Sequence, residues 1–303
     1  MNSLKRLLDS DLIWSWRNSP IAICATLTTI TLFVCSFGAP WIAPHNPFDL
    51  SSIQLLDALL PPVWESEGTA QYLLGTDNQG RDLFSMLLYG TRISLLIGFA
   101  SVLLSMMVGI ILGLIAGYVG GRTDAIIMRI ADIQLSFPAI LIALLIDGVA
   151  RAAVPQHLLD SIAFPVLIGA IAMAGWPQYA RTVRGSTMVE KNKEYVLAAR
   201  VIGVSGGRTM ISHVLPNVLG PVLVLATVHL ATAIITEATL SFLGVGVPPT
   251  SPSLGTLIRV GNDFLFSGEW WITIFPGVML IILVLSVNLL GDWLRDALNP
   301  RLN

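Results

Sequence analysis

The chain has 303 residues, 54% of them hydrophobic and 12% charged, with 17 Lys and Arg set against 19 Asp and Glu for a net charge of −2. Soluble domains carry about 25% charged residues, so a water-soluble globular protein is excluded, and the fold class expected is all-α, a polytopic membrane protein. A net charge near zero says nothing about partners, because in membrane proteins the placement of Lys and Arg is the informative quantity.

A spanning helix needs about 20 apolar residues to cross roughly 30 Å of hydrocarbon. Six segments meet or approach that length. The first is predicted from Pro20 to Ala43, after a cytoplasmic stretch 1–19, with Trp14 and Trp16 at one end and Trp41 at the other as interfacial anchors. Lys5, Arg6 and Arg17 before it suggest a signal peptide. The run is longer than an apolar region of about 7–15 residues and no small-residue cleavage site follows, so an uncleaved span is predicted. Cys24 and Cys35 both fall inside it with no disulfide or metal spacing and read as small packing residues.

Residues 44–91 form the longest polar segment, rich in turns at Gly75, Asp77 and Gly80, with Pro61-Pro62, Trp64 and the acids Glu65, Glu67, Asp77 and Asp82. Arg81 and Asp82 are expected to pair at the interface, and Leu83 to Leu88 to lie along the outer surface as a short helix. The second span, Ile93 to Val119, contains no charge, and Gly109, Gly113, Gly117 and Gly121 recur every fourth residue. That spacing puts the glycines on one helical face, where another backbone can approach closely.

The remaining spans are predicted at Ala125–Ile146, Ile162–Ala180, Val214–Leu240 and Trp271–Leu290, with Pro138, Pro165 and Pro221 inside or near their ends. Kinks at such prolines are tolerated where neighbours satisfy the freed carbonyls. A charge at the bilayer centre costs about 2.5–3.5 kcal/mol on insertion scales. Arg129 and Asp132 stand three residues apart and are expected to neutralise one another. Glu237 reads as a helix-end acid and His229 as a hydrogen-bonded core histidine, though either is within reach of a solute. With the amino terminus inside, 13 of the 17 cations fall on the cytoplasmic side and only Arg81, Arg92, Arg151 and Arg259 outside, so both termini are expected in the cytoplasm.

Between the fourth and fifth spans lies the most basic stretch, EKNKEYVLAARVIGVSGGRTMISHVLPN, residues 190–217. Helix formers from Glu194 to Arg200 bring Val196, Ala199 and Val201 or Ile202 near one another, and Gly203 supplies a positive φ to end the turn. A second short helix is predicted from about Gly207 to Leu215, with Pro216 opening the next apolar run. The result is a compact knob on the cytoplasmic surface. Ala198-Ala199, Gly203 and His213-Val214-Leu215-Pro216, at this spacing, resemble the EAA loop of ABC-importer permeases. The Glu usual in that family is replaced by Leu197 and the usual Ile by His213, as in its dipeptide and oligopeptide branch. Residues 73–95, 237–258 and the carboxyl-terminal NLLGDWLRDALNPRL are similar to the same branch.

This resemblance implies a permease core over residues 92–291, a cytoplasmic coupling loop over 181–215 and a cytoplasmic tail over 292–303. It also implies a second, homologous permease completing a heterodimer, two cytoplasmic ABC ATPase subunits that grip the loop through Glu194, Leu197, Ala198, Ala199, Gly203, Val204, Ser205, His213, Leu215 and Pro216, and an extracytoplasmic solute-binding protein. The setting implied is a bacterial inner membrane and the cargo dipeptides or oligopeptides, with nickel, glutathione or another small solute served by similar permeases.

The residues themselves offer no engine. None of Lys5, Lys191 and Lys193 follows a glycine, so no ATP-binding P-loop is present. Four histidines form no HExxH, and the single G-x-S-x-G match, Gly203 to Gly207, follows a helix-forming stretch and not the strand that a hydrolase nucleophile turn requires. No enzyme activity, cofactor or metal is therefore expected. A secondary transporter predicts repeated halves and midplane ionisable clusters, and neither pattern is seen.

Overall fold

The computed structural model describes residues 11–49, 53–248 and 250–297. Lys5, Arg6 and Arg301 of the charge count, Pro249 of the outer segment and the last six residues of the tail lie outside them. Among the described residues the architecture is helical, and the only extended pairing is an isolated bridge between Thr76 and Asp82.

Helix α1, Pro20–Phe37, starts where the Ser19 hydroxyl accepts from the Ala22 amide at 3.2 Å and Pro20 occupies the first turn. It stops at Gly38, and a separate turn, Ala39–Ile42, finishes the segment expected to run unbroken to Ala43. Helix α2, Leu83–Val119, has 37 residues and is about 55 Å long, far more than a bilayer requires. Asp82 caps it by accepting from the Ser85 amide at 3.0 Å.

Two sequence expectations fail here. Leu83 to Leu88 is not an interfacial helix but the first turns of α2, where Leu83, Met86, Leu87 and Leu88 are buried beneath the outer helices. Arg81 pairs with Asp77 at 2.7 Å, because Asp82 is committed to the helix cap.

The third expected span is also not one straight helix. Helix α3, Gly121–Leu135, and helix α4, Ala139–Ala153, meet at 95° across Ser136-Phe137-Pro138. Pro138 has no amide hydrogen and disfavours the α region for Phe137, which ends the helix. Helix α5, Leu159–Glu190, follows, then α6, Glu194–Val201, α7, Leu215–Phe242, α8, Leu254–Asn262, and α9, Trp271–Ala297. Among the described residues, five helices are long and apolar enough to cross a membrane, or six when the bent α3–α4 pair is counted as one span.

Helices α2, α5 and α7 enclose the main core through Ile97, Leu114, Leu167, Tyr179, Val183 and Val222. In lipid such helices gain little from hiding apolar surface, so close van der Waals fit decides the pairing. A Cβ placed on Gly109 would stand 2.3 Å from Tyr179 Cβ, on Gly113 2.5 Å from the Ala180 carbonyl oxygen and on Gly117 2.7 Å from Thr187 Cβ. Gly121, the fourth of the predicted stripe, departs from it. Nothing lies within 4 Å of its Cβ position, and its φ of +58° serves the turn between α2 and α3.

The Arg129–Asp132 pair also fails. Asp132 bonds to Arg181 of α5, so the charge is met across the α3–α5 contact and not along one helix. The same contact repairs a defect in α5. Pro177 cannot donate to the Met173 carbonyl, and Gln134 supplies the missing donor while its own carbonyl accepts from Trp176 Nε1 at 2.9 Å.

At the end of the bundle away from residues 190–217, residues 53–82 fold as a cap over the ends of α2 and α9. Tyr72 donates to Asp57 Oδ2 at 2.9 Å, Trp270 donates to Glu65 at 3.2 Å, and Trp271 donates to the Thr76 carbonyl at 3.1 Å. Burial, followed by the hydrogen bond and charge of Asp57, pushes the Tyr72 phenol up to about 12. A raised phenol favours the folded state below its unfolded value of about 10 and loses that contribution as pH climbs from about 10 to 12. Limited proteolysis of the cap is therefore expected to accelerate over that window in the wild type. In Tyr72→Phe the step should vanish, with the cap less protected at neutral pH by about 1 kcal/mol.

Candidate functional site

The segment after α5 is built as a rigid projection. Arg184 makes a two-pronged bond to Asp124 in the first turn of α3, 2.5 and 2.6 Å, and Lys191 Nζ donates to the Gly117 carbonyl at 2.6 Å, close to the negative end of α2. These contacts lock the end of α2, the start of α3 and the end of α5 together. Helix α6 then turns back, with Glu194 in its first turn, where a carboxylate suits the amide end of a helix.

Gly203 ends α6 with φ +81°. Its amide donates to the Arg200 carbonyl and the Val204 amide to the Ala199 carbonyl, both at 3.0 Å, the paired bonds of a Schellman stop. A single α-turn, Gly206–Thr209, passes through a π-helical turn, Met210–Val214, into α7. Gly206–Phe242 is thus one helical rod of 37 residues.

One face of the projection is anchored. Val196, Ala199, Thr209 and Val214 are buried. Tyr195 donates to Glu190 and accepts from Asn217 Nδ2 at 3.1 Å, and the same Asn217 amide donates to the His213 carbonyl at 2.8 Å. Desolvation, then the Glu190 hydrogen bond, pushes the Tyr195 phenol up to about 12, so it stays a donor at any physiological pH. Arg200 lies over the Tyr118 ring at 4.9 Å, which ties α6 to the end of α2.

The other face is bare and apolar. Val201 is 88% exposed, Ile202 78%, Ile211 61% and Leu197 45%, and Lys193 and Arg208 of the same segment are exposed as well. Large apolar side chains left exposed on a polar, basic segment mark a candidate protein contact. Val201 and Ile202 therefore do not share a face with Val196 and Ala199, as the helical spacing had suggested. Of the residues singled out in the sequence, Glu194, Leu197, Ala198, Gly203, Ser205 and Pro216 are exposed. Val204, His213 and Leu215 are half-buried, and Ala199 faces the body. Tyr195, Asn217, Tyr118 and the exposed Val201-Ile202 and Ile211 were missed. A pair of large apolar side chains beside a helix-ending glycine in a basic loop was the available signal.

Within the spans, Glu237 is buried and its oxygens accept from Ser94 at 2.8 Å and Ser241 at 2.7 Å. Because the Leu254 amide also donates to Ser94 Oγ, at 3.3 Å, Glu237 ties α7 to α2 and to the start of α8. It is fully buried by these contacts.

Residues 109–303 match the family described as the binding-protein-dependent transport system inner membrane component. This chain is a member of that family. The transport component is 40% identical over 289 residues to the di/tripeptide transport system permease protein DppC of Pseudomonas aeruginosa, covering 95% of this chain and 90% of that protein. Identity to the dipeptide transport system permease proteins DppC of Haemophilus influenzae and Escherichia coli is 41% over 281 residues and 42% over 287, covering 93% and 94% of the transport component and 90% of each relative. Its fold is shared with a chain of the MetNI methionine ABC transporter in inward-facing conformations, at a TM-score of 0.54 and 20% identity, over 71% of the transport component and 96% of that chain.

Proposed function

We propose that this chain is one of two different permease subunits of an ATP-driven importer of dipeptides or oligopeptides. It contributes half of the path and no catalysis of its own. Two cytoplasmic ATPase subunits supply the energy, one of them seated on residues 194–216, and a solute-binding protein delivers cargo on the opposite side. The single observation that supports the coupling role is the bare apolar face of Leu197, Val201, Ile202 and Ile211 on a projection braced from behind. The cargo class is supported by the dipeptide names of relatives 40–42% identical across more than nine-tenths of the chain. Both termini and the projection lie in the cytoplasm on the distribution of Lys and Arg, where ATP is available.

Coupling needs differential contacts in two states. Closure of the ATPases moves the projection, and because it runs without a break into α7, the spans follow as a body. Isolation of the intact assembly in detergent tests this reading. A sister permease and two ATPase chains per assembly are expected, with hydrolysis raised by dipeptide-loaded binding protein. A chain that purifies without an ATPase and moves solute uphill alone in liposomes refutes it.

A further inference from the structure

The face of α7 that carries His229, Thr232 and Thr236 opens, with Gln178 of α5 and Ser101 of α2, on a cavity of about 320 Å³ near the middle of the three helices. The size is at the small end of ligand pockets, about 300–1,000 Å³. Val102, Ile171, Leu225 and Val228 provide apolar walls, and no charged residue lines it. Ala139 closes one side, so the cavity borders the break at 136–138, where interrupted backbone in a membrane is tolerated beside protein or water.

This face is unlike the lipid-facing ones. The far side of α2 exposes Phe99, Leu103, Met107 and Ile111, and α9 exposes Ile281 and Leu285. On α7, Thr232 and Thr236 return their hydroxyls to carbonyls of their own helix at 2.9 and 2.8 Å, which hydrocarbon would tolerate. Gln178 and His229 have no such outlet. His229 Nε2 and Gln178 Oε1 are 2.6 Å apart, so the imidazole donates to the amide oxygen and leaves Gln178 Nε2 as a free donor and His229 Nδ1 as a free acceptor. Ser101 Oγ is buried beside them without a partner. One donor, one acceptor and a spare hydroxyl on a neutral, partly apolar wall match the N–H and C=O of one residue in an extended peptide, which point to the same side, and ignore the charge of its side chains.

We propose that this cavity is a subsite for the peptide backbone in transit: a cargo carbonyl accepts from Gln178 Nε2 and a cargo N–H donates to His229 Nδ1. The proposal rests on the peptide-importer reading. The wild-type arm of the test below addresses that reading separately.

The test uses the complete importer with its binding protein in proteoliposomes and radiolabelled glycyl-leucine as probe. Gln178→Leu and His229→Leu should each lower uptake about tenfold while hydrolysis stimulated by the loaded binding protein stays within about twofold of wild type, and His229→Gln, which restores an acceptor oxygen, should recover most of the loss. In a Cys24→Ser, Cys35→Ser background, Thr232→Cys should react with a charged thiol reagent and be shielded by glycyl-leucine, whereas Ile281→Cys should stay inert. The subsite is overturned by wild-type uptake in the Gln178→Leu, His229→Leu double variant, by hydrolysis falling in step with uptake, or by a Thr232→Cys thiol that is inert or unshielded. A wild-type importer that fails to accumulate glycyl-leucine defeats the peptide reading and the ligand class with it. Uptake by the wild type with an unaffected double variant defeats the subsite alone.

Discussion

Gly113→Val is expected to eliminate the folded protein from the membrane. Even the first carbon of the new side chain would meet the Ala180 carbonyl oxygen at 2.5 Å and Val183 Cβ at 2.8 Å. The first of these is backbone in the middle of α5 and has nowhere to go, so the two helices must separate along their contact. Overpacking of this kind costs about 3 kcal/mol, and the lost interface contacts are not replaced by water exclusion in lipid. Abundance in the membrane fraction should collapse. In detergent, any surviving assembly should unfold about 5 °C or more below wild type. Gly148→Ala is the control. It also sits inside a helix, but nothing lies within 4 Å of its Cβ position, so the change should be neutral or stabilise by about 0.5–1 kcal/mol. Equal damage from both substitutions would refute the close-approach account of the stripe.

Ile202→Asp is expected to leave the permease folded and inserted, yet to abolish transport. The side chain is 78% exposed, so the substitution removes no internal packing. At a docked apolar face a buried, unpaired carboxylate typically costs about 2–4 kcal/mol, a loss of roughly 30- to 1,000-fold in affinity. The ATPase subunits should fail to co-purify, and uptake should fall at least as far. Gly203→Asp is expected to act in the same direction by a mixed route: its position is open but its φ of +81° strains any side chain. Normal uptake by Ile202→Asp at wild-type abundance would remove the coupling role from this face.

Several features of the fold are legible in the sequence. Apolar run length located the spans, a period of four located the packing glycines at 109, 113 and 117, and a single glycine in a helix-forming stretch located the stop at 203. The misreadings share one cause, which is that local spacing ranks only local partners. Asp132 has Arg129 one turn away, but α5 brings Arg181 to it from 49 positions along the chain. Asp82 stands next to Arg81, yet the bare amides of α2 claim it first. The break at Ser136-Phe137-Pro138 was marked by its proline, but hydropathy stays high across it, and a sliding average cannot distinguish a straight crossing from one turned through 95°. The exposed face at Val201, Ile202 and Ile211 was hidden for the opposite reason. Large aliphatic residues at helical spacing ordinarily point inward, and only the third dimension shows that Val196 and Ala199 already fill that role.

The unbroken rod from Gly206 to Phe242 sets the gearing of the machine. At about 1.5 Å per residue it is some 55 Å long, so a seesaw tilt of about 10° around its midpoint would swing both tips by roughly 5 Å in opposite senses. His229 sits near that fulcrum and hardly travels, while the far tip, pinned by Glu237 to the neighbouring helices, must carry them along. On the proposed coupling, one stroke at the Gly206 tip would shut one mouth as it parts the other.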